Sequence, residues 1–517
     1  MKYVICMFII ENNTFNPLKN DKLFSISKGE KMIAEINTFL NDLIWGSILI
    51  YVLPILGIFF TISSRFVQFR YFFKMFNILR DTVHDKEGHI SSFQALMLSV
   101  AGRVGGGNIA GVAVAITLGG AGAVFWMWVI GLVGMATSFF ECSLAQLYKE
   151  KDGTDSCVYR GGPAYYATKA LKQRWLGIVI SILLIITFGF AFNATQSFII
   201  STSFQASFNT PTWVTGSILT LIFGIAIFGG VKRIAKISEV IVPVMAVSYL
   251  LIALVVIALN IQEIPGLISL IVKEAFDPSS AIGGGIGAVI LQGAKRGMFS
   301  NEAGLGSAPN VAAVAYVAHP VQQGIVQSFS VFIDTIILCS CTAFIILLSG
   351  VYTPGAEGVQ GVLLTQNALI DHIGPFGGYF VTFALLLFGF SSMLYNYYLA
   401  ENSLNFFSKG NTSLFNAFRV LCIVLIIWGS FQDLASIFSF ADLSMGLLAV
   451  INMTVIGLLY KPVLKLIKGY DTQIKEGKVP VLRYNDYTEF DIDKDTWKEI
   501  VDNINDKKEE KAKAQKA

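Results

Sequence analysis

The chain has 517 residues, of which 54% are hydrophobic and only 14% are charged, and its formal net charge is +3. A soluble domain of this length would be about one-quarter charged, so the composition excludes an ordinary soluble protein and indicates a helical membrane protein with many spans. The basic residues form no patch of the kind that nucleic acid requires, and the 4 histidines have no metal-ligand spacing. We therefore expect neither a nucleic-acid partner nor a cofactor.

Residues 1–42 are predicted to be an extension that precedes the membrane domain. The apolar stretch KYVICMFII near its start is too short and too poorly flanked for a signal peptide. Residues 12–40 are largely polar, and Met32 is a plausible alternative start. No function is assigned to residues 1–31.

Hydropathy predicts about eleven membrane spans, each close to the roughly 20 residues that a bilayer requires. The first span is an extra helix, and residues 461–517 after the last span form a charged tail, whose end NDKKEEKAKAQKA (505–517) is predicted to be frayed or disordered. The spans lie near residues 43–62, 93–118, 121–148, 176–204, 214–231, 237–260, 281–318, 322–350, 374–402, 412–429 and 434–460.

The positive charges alternate from one side of the predicted spans to the other. Basic residues follow the first, third, fifth and ninth spans and fill the tail, whereas the opposite loops 205–213, 351–375 and 430–433 contain no Lys or Arg. By the positive-inside rule the N-terminus lies outside and the tail is cytoplasmic, which requires an odd number of spans. Residues 65–81 interleave aromatic and basic side chains, as is typical of a helix on the inner membrane surface.

Glycine and polar residues interrupt two of the predicted spans. GRVGGGNIAG (102–111) lies in the second span and RGMFSNEAG (296–304) in the seventh. Lipid tails offer the backbone no hydrogen bonds, so a helix break at this depth is costly and indicates a functional role. Half-helix N-termini suit a carboxylate and freed carbonyls suit a small cation, so paired breaks predict the binding site of a transporter.

The two breaks stand at corresponding places in two groups of five spans, 93–260 and 281–460. This arrangement predicts two repeats of opposite topology. Close helix packing explains Gly107 and Gly111. Packing does not explain Asn108 beside them or the polar residues in the partner span, so a functional interpretation is favoured.

At GRVGGGNIAGVA and GAKRGMFSNEAGLGSAPNVAA the sequence resembles the alanine/glycine:cation symporters, and FSNEAG is the most specific motif. The resemblance covers about residues 43–460. It implies an all-α, leucine-transporter-type fold, a 5+5 inverted repeat with one extra N-terminal helix. It also implies sodium-driven import of small neutral amino acids, alanine and glycine foremost. We expect a monomeric, multi-pass protein in the lipid bilayer of a prokaryotic plasma (inner) membrane.

Carried over to this sequence, the resemblance implies that the first break holds the substrate carboxylate and that the second packs against its side chain. The implied substrate-binding residues are Gly105, Gly106, Gly107, Gln196, Phe299, Ser300, Gly304 and Asn396. The implied sodium ligands are Ala101, Val104, Asn108, Ser300, Ser391 and Ser392.

Two positions depart from the family pattern. Gly106 stands where many members have threonine, and Asn396 stands where many have tryptophan. The pocket is therefore expected to be wider and more polar. A substrate larger or more polar than alanine, such as glutamine, is an alternative preference.

Acidic residues inside predicted spans are functional candidates. Glu302 either binds the substrate ammonium or fixes the unwound backbone, and Asp334 either ligates sodium or supports the broken helix. With Asn301 they form a set of coupling or structural candidates.

Other charged residues receive plainer interpretations. Glu141 is taken as an interfacial charge, and Asp442 and Asn452 as polar helix contacts. Arg103 and the pair 295–296 are taken as backbone support or snorkelling side chains rather than gate ion pairs.

These patterns predict a secondary active symporter that works by alternating access. One alternative is the same fold driven by protons through Glu302 or Asp334, and another is a sensor that binds amino acids without transporting them. A membrane enzyme is disfavoured because the sequence has no HExxH, GxSxG or paired catalytic carboxylates.

Overall fold

The computed structural model describes residues 28–80, 88–153, 157–228, 230–277, 285–353, 361–408 and 411–503. Most of the predicted extension (1–27), the start of the second repeat (281–284) and the end of the tail (504–517) lie outside the described residues. Within the described ranges the chain is almost entirely helical, with one short antiparallel pair, β1 (Glu150–Lys151) and β2 (Tyr159–Arg160).

The first apolar span, α1 (Glu35–Ser63), continues a helix that begins at Lys28 and passes through a π-helical segment, Asp42–Leu49. The helix therefore begins earlier than the predicted span. The predicted span starts later because the first part of this helix carries polar side chains. One of them, Asn37, donates from Nδ2 to Ser439 Oγ of a neighbouring helix at 2.9 Å, so its polar group is satisfied within the bundle.

The remaining helices include the two broken spans, α4–α5 and α12–α13. In chain order they are α2 (Val67–Arg70), α3 (Lys74–Arg80), α4 (Ser92–Arg103), α5 (Gly107–Gly119), α6 (Gly122–Leu147), α7 (Pro163–Ala170), α8 (Arg174–Phe208), α9 (Thr212–Ile227), α10 (Gly230–Leu259), α11 (Ile264–Glu274), α12 (Gly285–Asn301), α13 (Ser307–Val314), α14 (Pro320–Leu347), α15 (Val362–Ile373), α16 (Pro375–Ser408), α17 (Thr412–Gly429), α18 (Leu434–Leu458) and α19 (Tyr460–Lys475).

Among the described residues, 8 helices are long and apolar enough to cross a membrane, and the bent pair α4–α5 makes a possible total of 9. Helix α9 has only 16 residues, and α12 and α13 are the two parts of the other interrupted span. The total of eleven spans stays a prediction.

Both predicted interruptions are breaks in the structure. Helices α4 and α5 are bent by 49° relative to each other. Between α12 and α13 the backbone is left-handed at Glu302 (φ 54°), Gly304 (φ 88°) and Gly306 (φ 79°). Glycine adopts such angles without strain from a side chain, so its presence at two of the three positions explains where the helix stops.

Helix α6 holds the second broken span by close packing against α12 and α13, and it also packs against α14. A Cβ added to Gly293 would lie 2.6 Å from the carbonyl oxygen of Ala123. A small residue is therefore required where α12 crosses α6.

The tail folds onto the helical bundle as far as residue 503, and the end that is predicted to be frayed or disordered (505–517) lies outside the described residues. Trp497 is fully buried, and its Nε1 donates to the carbonyl oxygen of Leu147 at 3.2 Å. The Leu482 N–H donates to the carbonyl oxygen of Ala318 at 2.9 Å, just beyond α13. Arg70, in the predicted surface helix, pairs with Asp471 at 2.6 Å. That predicted helix forms two short helices, α2 and α3.

Lys149 connects the tail to the second broken span. Its Nζ donates to the carbonyl oxygen of Ala315 at 3.0 Å and lies 5.0 Å from the ring centroid of Trp497. Burial lowers the pKa of the Lys149 ammonium well below its ordinary value. The end of α13 is thus capped by a side chain that the tail covers.

Replacing Trp497 with alanine should detach the tail. Truncation of a buried tryptophan typically costs about 3–5 kcal/mol. The fraction of molecules with a detached tail should therefore rise more than about 100-fold. Limited proteolysis of the purified protein would measure this as faster cleavage within residues 460–503. Val479, which is 41% exposed, offers a matched control, and equal cleavage of the Val479→Ala and Trp497→Ala variants would contradict the prediction.

Candidate functional site

The first break leaves backbone N–H groups that side chains satisfy. The Gly105 N–H donates to Asn108 Oδ1, and the Gly106 N–H donates to Gln196 Oε1, both at 3.0 Å. Gln196 comes from α8, so the predicted pocket glutamine does reach the break. The structure brings Gly105, Gly106 and Gln196 together.

The glycines of this break lie where side chains would not fit. A Cβ on Gly105 would lie 2.5 Å from Ser392 Oγ, and one on Gly107 would lie 2.8 Å from Cδ1 of the Phe299 ring. Phe299 belongs to the second break. The backbone of the first break therefore lies directly against the Phe299 side chain of the second break.

An oxygen cluster, here called the serine cluster, lies beside the first break and consists of Ala101, Ser391 and Ser392. Ser392 Oγ donates to the carbonyl oxygen of Ala101 at 2.9 Å, and Ser391 Oγ lies 3.4 Å from the same oxygen. Val104, the remaining member of the predicted ligand set at this place, follows the end of α4. Carbonyl and hydroxyl oxygens are the kind of ligand that hard cations prefer.

A second cluster, here called the bridging cluster, joins both breaks and consists of Asn108, Ser300, Asp334 and Thr335. Asp334 Oδ1 accepts from Asn108 Nδ2, and Oδ2 accepts from Ser300 Oγ at 2.6 Å and from Thr335 Oγ1 at 2.9 Å. All four residues are buried. One carboxylate thus contacts a side chain from each broken span.

Aromatic rings cover the other side of the second break. The ring centroid of Phe299 lies 4.8 Å from that of Phe192 and 5.5 Å from that of Phe438. Above them, Arg296 forms a buried ion pair with Asp442 of α18. Arg296 is therefore an ion-pair partner, and its interpretation as a snorkelling or backbone-supporting side chain is wrong.

Arg103 supports the backbone, which is one of its two predicted roles. It is buried and donates to the carbonyl oxygen of Gln327 and to Ser138 Oγ, both at 3.0 Å, and also to Ser330 Oγ. These contacts attach the end of α4 to α6 and α14.

Glu141 is the residue that sequence reasoning missed. It is fully buried, and its carboxylate accepts from the N–H groups of Gly304 at 3.2 Å and Gly306 at 3.1 Å. Asn452 Nδ2 also donates to Glu141, at 3.1 Å, and to the carbonyl oxygen of Gly304 at 2.8 Å. The interfacial interpretation is wrong because the carboxylate is completely buried and bonded to the second break. The predicted span already continued to residue 148, which was the available signal.

The other candidates of the second break bond mainly to the protein itself. Glu302 is buried and accepts from Tyr395 Oη at 3.2 Å, and Asn301 Oδ1 accepts from the Ala303 N–H at 2.9 Å. Gly304, a predicted substrate contact, directs its N–H to Glu141 instead of into the first break. Glu302 thus contacts a side chain of α16, and both alternatives for its role stay predictions.

Asn396 is buried on α16, one turn from Ser392, and within the described residues neither its Oδ1 nor its Nδ2 has a hydrogen-bond partner. Buried amides usually find partners. Asn396 thus has unused hydrogen-bonding capacity.

Comparison with known proteins agrees with this architecture. The chain is 14% identical to MhsT solved in complex with L-phenylalanine, with a TM-score of 0.55 over 80% of this chain and 95% of that one. MhsT is a leucine-transporter-type protein, so the likeness confirms the predicted fold class.

Curated relatives are much closer in sequence. The chain is 48% identical to the amino-acid carrier protein AlsT of Bacillus subtilis, over 86% of this chain and 93% of the relative. It is 45% identical to the probable sodium/glutamine symporter GlnT of the same organism, over 87% of this chain and 94% of the relative. Residues 30–484 match the sequence profile of the Sodium:alanine symporter family. The chain therefore belongs to the sodium:alanine symporter family.

Proposed function

We propose that the protein is a sodium-coupled symporter that imports small neutral amino acids, alanine and glycine foremost, by alternating access. Its family consists of transporters, so the chain is a multi-pass, cation-coupled amino acid symporter and not an enzyme. The observation that best supports sodium is the serine cluster, where two hydroxyls meet the Ala101 carbonyl beside the first break.

The substrate is proposed to bind across the two breaks. Its carboxylate would take the place of the Gln196 amide oxygen at the Gly106 N–H, near the N-terminal end of α5, where the helix dipole favours a negative charge. Its side chain would pack against Phe299. A small, uncharged side chain suits the aromatic surroundings of that ring.

The orientation is part of the proposal. The alternating positive charge supports an outside N-terminus and a cytoplasmic tail in a prokaryotic plasma membrane. We further propose that the protein works as a monomer in the bilayer, because each predicted ligand set comes from one chain.

Glutamine is the second candidate substrate. The unpartnered amide of Asn396 would suit a polar side chain, and a relative named as a probable sodium/glutamine symporter is 45% identical. A pocket that hydrogen-bonds a polar side chain discriminates strongly against substrates that lack it.

Uptake into proteoliposomes tests the proposal. Labelled alanine, glycine and glutamine would be offered under an inward sodium gradient, and again with lithium, potassium or a proton gradient alone. We expect concentrative uptake with sodium only and competition among the three substrates that ranks them. Uptake driven by the proton gradient alone would refute sodium coupling, and binding without accumulation would identify a sensor.

A further inference from the structure

We propose that the last described part of the tail, residues 482–503, is a strap that holds the ends of the two broken spans together on the cytoplasmic side. The strap has to leave this position before a bound amino acid can pass into the cytoplasm. This inference goes beyond the proposed function and rests on it, because it uses alternating access and a cytoplasmic tail.

The two broken spans meet at this side through one backbone contact, here called the inner bridge. Ile90, just before α4, pairs in parallel with Ala315, which directly follows α13. The Tyr316 N–H donates to the carbonyl oxygen of Ile90 at 2.9 Å. Helices α4 and α13 also pack against each other. These two half-helices lead from the breaks to the tail side, so a path between them requires the inner bridge to open.

The connection between α13 and α14, residues 315–319, is buried along its whole length, and none of these residues is more than 3% exposed. Connections between helices normally run over the surface, where water satisfies their polar groups. Here the tail takes the place of water. The Leu482 N–H donates to the carbonyl oxygen of Ala318 at 2.9 Å, and the Tyr470 ring centroid lies 5.1 Å from that of His319. The tail therefore covers the second broken span where it ends.

Lys149 links the inner bridge to Trp497 of the strap. Its Nζ donates to the carbonyl oxygen of Ala315 and lies 4.2 Å from the ring centroid of Tyr159 and 5.0 Å from that of Trp497. Trp497 itself is fixed by its hydrogen bond to the carbonyl oxygen of Leu147. If Trp497 leaves, water reaches the Lys149 ammonium and competes with the Ala315 carbonyl for it. The strap thus acts on the inner bridge through one side chain.

The charge of the strap matches the surface on which it lies. The strap contains 7 Asp or Glu and 3 Lys or Arg, whereas residues 149–174 contain 6 Lys or Arg and 3 Asp or Glu. Two ion pairs join the two segments, Lys151–Glu499 and Lys172–Asp491. Their side chains are partly exposed, so water and salt screen them and each pair contributes little to docking. The ion pairs therefore set the position of the strap, and the burial of Trp497 holds it there.

Lys149 also makes docking reversible. It is completely buried, and in the described ranges no Asp or Glu forms an ion pair with it. Burial of an unpaired ammonium is unfavourable, and this cost opposes the gain from the burial of Trp497. The opposition brings the docked and released states closer in free energy. A gate that opens in every transport cycle needs such a balance.

Hydrogen exchange of the purified full-length protein tests the hold of the strap on the inner bridge. Exchange of the backbone N–H groups of residues 315–319 would be compared in the wild type and in Trp497→Ala, with Val479→Ala as the control. Loss of Trp497 should speed this exchange more than about 100-fold, and the control should stay within about two-fold of wild type. Faster exchange at Leu482 with unchanged exchange at 315–319 would overturn the inference, because the strap would then leave without releasing the bridge.

A reversible crosslink tests the need for undocking and removes no buried side chain. Lys151 and Glu499, the partly exposed partners of one ion pair, would be replaced in the double variant Lys151→Cys/Glu499→Cys. The background would carry Cys6→Ser and Cys157→Ser, since the other native cysteines are buried. A bifunctional thiosulfonate reagent would join the two positions, and a reducing agent would separate them.

Uptake of labelled alanine and glutamine under a sodium gradient would then be measured in proteoliposomes. We expect the crosslinked protein to lose at least about ten-fold in rate and to recover to within about two-fold after reduction. Lys151→Cys alone and Glu499→Cys alone, treated with the same reagent, should keep their uptake. Full uptake by the crosslinked protein would overturn the inference. Absence of uptake by both the wild type and the reduced double variant would instead overturn the proposed function, and hydrogen exchange would then decide the hold of the strap by itself.

Discussion

Replacing Glu141 with alanine is expected to abolish amino acid uptake and to destabilise the protein. The substitution removes the acceptor of two backbone N–H groups inside the bundle, those of Gly304 and Gly306. Each buried donor left unsatisfied costs about 1–3 kcal/mol. Because these donors belong to the second break, the loss should displace α13 and reduce the uptake rate at least about 100-fold. Uptake would be measured in proteoliposomes, and stability as the thermal midpoint.

Glu141→Gln separates the loss of charge from the loss of shape. Its amide has one acceptor oxygen for two N–H groups, so we expect intermediate uptake and an intermediate midpoint. Glu263→Ala removes an exposed carboxylate and should change neither. Wild-type uptake by the Glu141→Ala variant would show that the second break holds its conformation without this side chain.

Replacing Gly102 with alanine is expected to eliminate sodium-dependent uptake, although alanine is the better helix former by about 1 kcal/mol. A Cβ there would lie 2.2 Å from Cδ1 and Cε1 of the Tyr395 ring. That ring is buried and bonded to Glu302, so it has little freedom to move. The Gly102 carbonyl also accepts from Ser392 Oγ at 3.1 Å, so a displaced α4 would disrupt the serine cluster.

Gly111→Ala is the matched control on the same broken span. Its added Cβ would lie 3.6 Å from Cδ1 of Phe299, an ordinary contact distance. Uptake by this variant should stay within about two-fold of wild type. Equal loss of uptake in the Gly102→Ala and Gly111→Ala variants would mean that any added methyl group disturbs the span. That result would refute a specific clash with the Tyr395 ring.

The breaks were predictable because they interrupt strongly apolar spans with glycine, asparagine and glutamate, which lipid does not tolerate without compensation. The serine cluster was also accessible, through the family resemblance at Ser391 and Ser392. What the pattern could not reveal is which distant side chain completes each break. Arg296 and Asp442 lie 146 positions apart in the sequence, and nothing local connects them.

Contacts with distant residues also explain two further errors, the predicted start of the first span and the interfacial interpretation of Glu141. Hydropathy treats a polar residue as exposed, whereas Asn37 is bonded to Ser439 and Glu141 to backbone N–H groups. The tail contains a helix that its composition conceals. Its buried Val463, Leu466 and Tyr470 recur at helical spacing but are outnumbered by charged residues.

The contacts of Trp497 and Leu482 have a consequence for the order in which the protein is made. Synthesis proceeds from the N-terminus, so every membrane span leaves the ribosome before these residues do. The second broken span is therefore placed in the bilayer while the segment that will cover its end is still being translated. Insertion of the helices and docking of the tail are therefore separate steps. In the newly inserted bundle, Lys149 is not yet covered by the tail.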